Sequence, residues 1–264
     1  MFKPLVWLAA VAAVSSFAFG APAVAQTAPV KIITGFAPGG SVDSLARLVA
    51  EQLQTQLGRT VIVENKTGAA GRLAIEQVKG SAPDGDTLLV VPHGPMTLFP
   101  HVFKSLRFDP VKDFTPISRL AVGDYAITVS SAIKAKDAAG LRDALKAAGD
   151  KASFGSPGAG TLPHFLGITI AKTLGVSLTH IPYRGSTPAL VDVAGGIVPM
   201  AVTPVTEALA LHKAGKVRII ATSGNLRSPF VDGVPTFKEF GIDLEVPLWF
   251  AIYGPANMPA ATAD

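Results

Sequence analysis

Two uncharged stretches place hydroxyls and glycine amides just ahead of a helix pattern: "GFAPGGSVD" (35–43) and "FGSPGAGTLPHF" (154–165). A glycine-rich turn at a helix start leaves several backbone N–H groups pointing outward, and the helix dipole adds positive potential. Such a loop can hold a carboxylate or phosphate without any cation. In the first loop Phe36, Ala37, Gly39 and Gly40 supply backbone, Ser41 can cap the helix, and Asp43 lies in its first turn. In the second, Gly158, Ala159 and Gly160 free the backbone and Ser156 brings a hydroxyl. Thr161 is the expected N-cap, and Pro163 fits the first helical turn. His164 follows, where the dipole disfavours the imidazolium; a neutral ring can still donate one hydrogen bond to an anion. Each loop also has a plainer reading: a tight turn with Asp43 complementing the dipole, and a histidine packed against neighbouring loops.

Two further segments carry polar groups of the same kind. "HIPYRGSTPALVD" (180–192) offers Tyr183, Arg184, Gly185 and Ser186 together. Arg184 can clamp a carboxylate or face solvent, and solvent is the preferred reading. "PHGPM" (92–96) follows a strand, where the ligand-contacting loops of α/β sheets occur, so His93 is a secondary candidate. Enzyme templates fit poorly. Pro157 after Ser156 removes the oxyanion N–H that a nucleophile elbow needs. No Walker lysine follows "GSPGAGT", and proline interrupts the dinucleotide fingerprint in "GAGTLP". The five histidines lack metal-ligand spacing, so neither metal nor cofactor is expected. An exported serine hydrolase using Ser156 and His164, with Asp192 as the third member of a triad, is the competing class.

The elements that must position these loops alternate regularly. "VKIITGF" (30–36), "TVIVEN" (60–65) and "DGDTLLVVPHG" (84–94) read as strands, with helix patterns between them. "ASFGS", the helix "TLPHFLGITIAKTLG" and the strand "VSLTHIPYRG" repeat the rhythm. Pro38 and Gly58 bracket one strand–loop–helix unit, Pro157 and Gly175 the other, and Gly68 and Gly185 follow the two Leu-Gly stops at equal distance. We expect an α/β fold of two lobes, each a mostly parallel sheet flanked by helices, joined by two crossing strands as a hinged clamshell. "DFTPISRLAVGDYAITVS" (113–130), where Pro116 forbids helix, and "GKVRIIATSG" (215–224) are the expected crossings. Lobe 1 is assigned 29–120 plus 222–264, completed by "VPTFKEFG" and "VPLWFAIYGP", and lobe 2 is assigned 124–218.

Residues 1–25 read as a cleavable export signal. Lys3 precedes an apolar run too short for a span of about 20 residues, and Ala23-Val24-Ala25 forms the processing site. With no cysteine, no disulfide framework exists, which suits the periplasm of a Gram-negative bacterium. The 23 Lys and Arg against 19 Asp and Glu are scattered and not interleaved with aromatics, so nucleic acid is not an expected partner.

Taken in order, "GFAPGGSVDSLARLVAEQL", "VIVENKTGAAGRLA", "APDGDTLL", "FDPVKDFTPIS", "FGSPGAGTLPHF", "IPYRGSTPALVDVAGG" and "GVPTFKEFG" resemble the extracytoplasmic solute receptors of tripartite tricarboxylate transporters, the Bug family. The resemblance runs from about Lys31 to the end. It implies a two-lobed periplasmic binding protein that captures a small organic acid and presents it to membrane permease subunits, acting as a monomer and not as an enzyme. A ligand-binding sensor without a transport role is the variant reading. By position, Phe36–Gly40 with Asp43 would line one wall, and Ser156–Thr161 with His164 and Tyr183–Ser186 the other. Thr203 stands where many relatives carry an acidic residue, and is included for the ligand's far end. The family pattern also implies further closing helices, so lobe 1 reads as C-terminally truncated.

Overall fold

Strands covered on both faces carry near-continuous apolar runs, and the first and third strands are of this kind: Ile32, Ile33, Leu89 and Val90 have no exposed surface. The computed structural model describes residues 28–264, so the expected export signal lies outside the described residues. The first part comprises β1 (Val30–Thr34), α1 (Ser41–Leu57), β2 (Val61–Asn65), α2 (Arg72–Lys79), β3 (Thr87–Pro92) and two short helices, α3 (His93–Thr97) and α4 (Phe99–Val102). A long β4 (Phe114–Ser130) follows. Then come α5 (Ala138–Ala147), β5 (Ser153–Ser156), α6 (Leu162–Leu174), β6 (Thr179–Pro182), α7 (Ser186–Ala194), β7 (Met200–Pro204), α8 (Val205–Lys213) and β8 (Val217–Thr222). The chain ends with β9 (Pro247–Pro255) and α9 (Ala260–Ala263).

In the first sheet β1 lies between parallel β2 and β3, and β9 runs antiparallel between β3 and β4. In the second, β5 lies between parallel β6 and β7, while β7 and β8 flank β4 antiparallel to it. The two sheets therefore share one strand. Phe114–Asp124 of β4 pairs with β9, and Tyr125–Ser130 pairs with β7 and β8. Pro116 pairs with Tyr253 and the register with β9 shifts just after it, the kind of irregularity at which a strand accepts proline. The internal repeat is visible in the helix stops: α1 and α6 both end on a left-handed glycine, Gly58 at φ 61 and Gly175 at φ 64, a conformation that favours glycine.

The second crossing departs from expectation. β8 belongs wholly to the second sheet, and the chain returns through Ser223. Its N–H donates to Tyr125 O (2.9 Å) and its carbonyl accepts from Val246 N–H (3.0 Å). The hydroxyl accepts from Tyr125 N–H (2.9 Å) and donates to Val246 O (2.6 Å). "VPTFKEFG" does not complete the first lobe. Thr236 bridges Thr222 of β8, and the Ala138 N–H at the start of α5 donates to Phe240 O. Phe237 and Phe240 are buried with Leu141 and Leu145, so apolar cover for α5 holds this segment on the second sheet.

Ser223→Ala would leave the Tyr125 N–H and the Val246 carbonyl without their hydroxyl partner, in a place that water does not reach. We expect a loss of about 1–3 kcal/mol, the scale of buried groups left unpaired. The urea midpoint measures it, and an unchanged midpoint would show that the serine does not pin the crossing.

Candidate functional site

All parallel strands of a βα layer end on the same edge, so the helices that follow them start there. Both lobes turn that edge toward a shared space. Five helix starts border it. Gly40 and Val42 belong to the start of α1; Pro92, Gly94 and Pro95 to that of α3; Thr161, Leu162 and Pro163 to that of α6; Gly185, Ser186 and Thr187 to that of α7; and Pro204 and Glu207 to that of α8. Phe36, Tyr125, Leu248 and Phe250 add apolar surface. No Lys or Arg is among the described residues that line the space, and Glu207 is its one carboxylate. The positive ends of helices supply the favourable potential for an anion here.

The first-lobe loop is held from behind. Asp43 is 3% exposed and does not reach the space. Its carboxylate accepts from Arg47 (2.9 and 3.0 Å), Asn65 (2.8 Å) and the Gly39 N–H (3.0 Å), while Asn65 also donates to Phe36 O. Burial pushes this carboxyl upward, but the donated hydrogen bonds outweigh it and hold it below the ordinary value. Phe36, Ala37 and Gly40 face the space; Gly39 lies on the outer side. Gly40, not Ser41, is the N-cap of α1. The Ser41 side chain instead crosses to the other lobe, 2.8 Å from the Thr206 hydroxyl, and its N–H donates to Glu207 Oε1 at 3.1 Å. The structure is thus closed across the cleft. Gly185 (φ 133) meets Ala37 so nearly that a Cβ there would lie 3.2 Å from the Ala37 Cβ.

In the second lobe the expected hydroxyls and histidines turn inward. Thr161 lines the space, but its hydroxyl donates to Gly158 O (2.7 Å) and makes no side-chain cap. Ser156 is wholly buried, with its Oγ 3.1 Å from Gly158 O and 2.7 Å from His180 Nε2. The histidine paired with Ser156 is therefore His180, not His164. His164 accepts from the Gly160 N–H (3.1 Å) and stacks on His180 with centroids 3.8 Å apart. Burial lowers His164, and burial together with His164 lowers His180 to about 4. These rings brace the loop, and neither His164 nor His180 is among the residues that line the space. The expected Ser156–His164 pair does not form.

The other candidates sort by position. Ser186 faces the space and is a further side-chain hydrogen-bond partner of Glu207. Tyr183 donates to Asp192 (2.6 Å), and burial followed by the Asp192 carboxylate raises its phenol to about 12. With Arg184, Gly158 and Ala159 it lines a separate groove beside Arg72 and Phe103. His93 stacks on Trp249 behind the wall formed by Pro92 and Gly94, and burial lowers its ring. Thr203 has no exposed surface and stays inside β7. Sequence reasoning missed Tyr125, Phe250, Thr187 and above all Glu207. A signal for Glu207 was present: "TPVTEA" reads as strand, proline and first helical turn, which repeats the layout of the other loops. Burial pushes the Glu207 carboxyl upward, against the lowering effect of the Ser41 and Ser186 hydrogen bonds.

A family model described as the tripartite tricarboxylate transporter family receptor matches residues 45–263. The protein BugT of Bordetella pertussis is 30% identical over 247 residues, covering 92% of this chain and 76% of BugT. MatC of Rhodopseudomonas palustris, solved with bound malate, is 28% identical with a TM-score of 0.84, covering 89% of this chain and 80% of that one. The R. palustris protein Rpa4515, solved with adipate, is 28% identical at the same TM-score, covering 90% and 80%. The family is one of receptors, and BugD, described as a periplasmic binding protein, is 32% identical with a TM-score of 0.84, covering 89% of this chain and 79% of that one.

The stacked histidines give the fold a pH dependence of defined sign. In the unfolded chain His180 takes up its proton near 6.5, but in the folded chain only near 4. Its contribution is therefore complete above 6.5 and is lost as the pH falls toward 4. Thermal melts across that window should show the midpoint falling with acidification, and His180→Gln should flatten the fall. An equal slope in the variant would place the dependence elsewhere.

Proposed function

Because the chain belongs to the receptor family of the tripartite tricarboxylate transporters, we propose that it is exported to the periplasm, closes its lobes over a small organic acid, and presents that acid to membrane permease subunits as a monomer. One observation supports this reading most: five helix starts from two sheets converge on one space with no cation in its described wall. Backbone N–H groups and helix dipoles can hold a carboxylate reversibly, and closure excludes water, which strengthens each hydrogen bond. The malate and adipate held by the two R. palustris relatives belong to the same chemical class.

Residues 1–25 supply the export signal in this reading. Site roles fall on Phe36, Ala37, Gly40, Thr161, Gly185 and Ser186 at the wall, with Asp43, His93, Ser156 and His164 as positioning residues behind it. Thr203 supports β7 and has no ligand role in this reading.

Calorimetry of the folded protein against mono-, di- and aminocarboxylates tests the proposal. At a hundredfold excess over Kd, a true ligand should raise the unfolding free energy by about 2.7 kcal/mol. Absence of heat and of thermal shift with every acid would overturn the receptor reading.

A further inference from the structure

The cleft contains a charge of the wrong sign for a simple anion site. We infer that the ligand is an aminocarboxylate whose protonated nitrogen rests against Glu207, and that the pocket discriminates against dicarboxylates of equal length. The inference rests on the receptor reading above and narrows its substrate class.

Glu207 stands in the first turn of α8, at the boundary between the inner space and an outer groove that also contains Ser41 and Phe250. It already occupies the Ser41 N–H at the start of α1. The ligand carboxylate is left with the other helix starts, those of α6 and α7 being the longest apart from α8, which carries Glu207 itself. A second ligand carboxylate would share a confined space with Glu207, where like charges a few ångströms apart repel far more strongly than in water. An ammonium in that place gains instead a charge-assisted hydrogen bond. It also relieves the carboxylate, whose ionised form burial disfavours.

The remaining wall agrees with this assignment. Phe36, Tyr125 and Phe250 suit an apolar body, and their ring faces attract a cation. Apart from the starts of α1 and α8, no positive group on the described wall compensates Glu207. Asp43 is matched by Arg47 and turned away from the space, and Arg184 lies exposed on the separate groove.

The test uses two matched sets of probes: γ-aminobutyrate, succinate and butyrate, then ε-aminohexanoate, adipate and hexanoate. Calorimetry at neutral pH compares the whole chain with its Glu207→Gln variant. We expect the aminocarboxylate to bind most tightly within at least one set. The variant should weaken that binding by about tenfold or more, the scale of one charge-assisted hydrogen bond, while tightening the dicarboxylate. A dicarboxylate or monocarboxylate that binds the unaltered protein as tightly as the aminocarboxylate overturns the inference. So does a variant with the same order of preference. If no probe binds either folded protein, the carboxylate-receptor reading fails as well, and the two failures are thereby distinguished.

Discussion

One strand in two sheets is the constraint from which the rest of the molecule follows. β4 carries backbone pairing with β9 over its first part and with β7 and β8 over its last. A hydrogen-bonded strand cannot slide or rotate freely against its neighbours, so each sheet is fixed to its own part of the same backbone. The parallel units built on either side then have no freedom in where their helices begin. Both sets of helix starts meet at one cleft, with Tyr125 at the change of sheet.

That arrangement explains how the proposed anion site can do without arginine or lysine in its described wall. Partial charges on backbone N–H groups are fixed by secondary structure, and they need no side-chain entropy to be held in place. The side chains that sequence chemistry would put first are spent on holding the loops. Asp43 braces the first-lobe loop through Asn65 and Gly39, and the Ser156–His180–His164 stack braces the second. Polarity at a ligand loop is therefore divided between groups that face the cleft and groups that shape it.

This division also marks what the amino-acid sequence reveals. The glycine loops, the alternating strands and helices, and the internal repeat were legible because local backbone rules dictate them: Gly58 and Gly175 stop their helices in the same left-handed turn. The two-lobed α/β fold was legible for the same reason. The orientation of individual side chains was not, since tertiary partners decide it. His164 lies four residues from Gly160, and that N–H takes its ring nitrogen. The sequence offers Ser41 as a local cap, yet its hydroxyl finds Thr206 across the cleft. Glu207 escaped notice because its meaning depends on a first-lobe helix far away in sequence. "VPTFKEFG" reads as first-lobe sequence yet packs on the second sheet, because apolar residues alone do not say which core they enter.

Tyr125 combines two duties, since its backbone is pinned to Ser223 at the crossing while its residue borders the ligand space. The floor of the cleft is thus the pivot itself. Rotation about a pivot displaces nearby atoms little and distant atoms much, so a contact at Tyr125 works with almost no lever arm. The Ser41–Thr206 and Ser41–Glu207 contacts join the helix starts of opposite lobes beside Ala121–Asp124 of β4, close to the same pivot. Whatever rests on this floor is thus seated at the part of the cleft that a rotation of the lobes would disturb least.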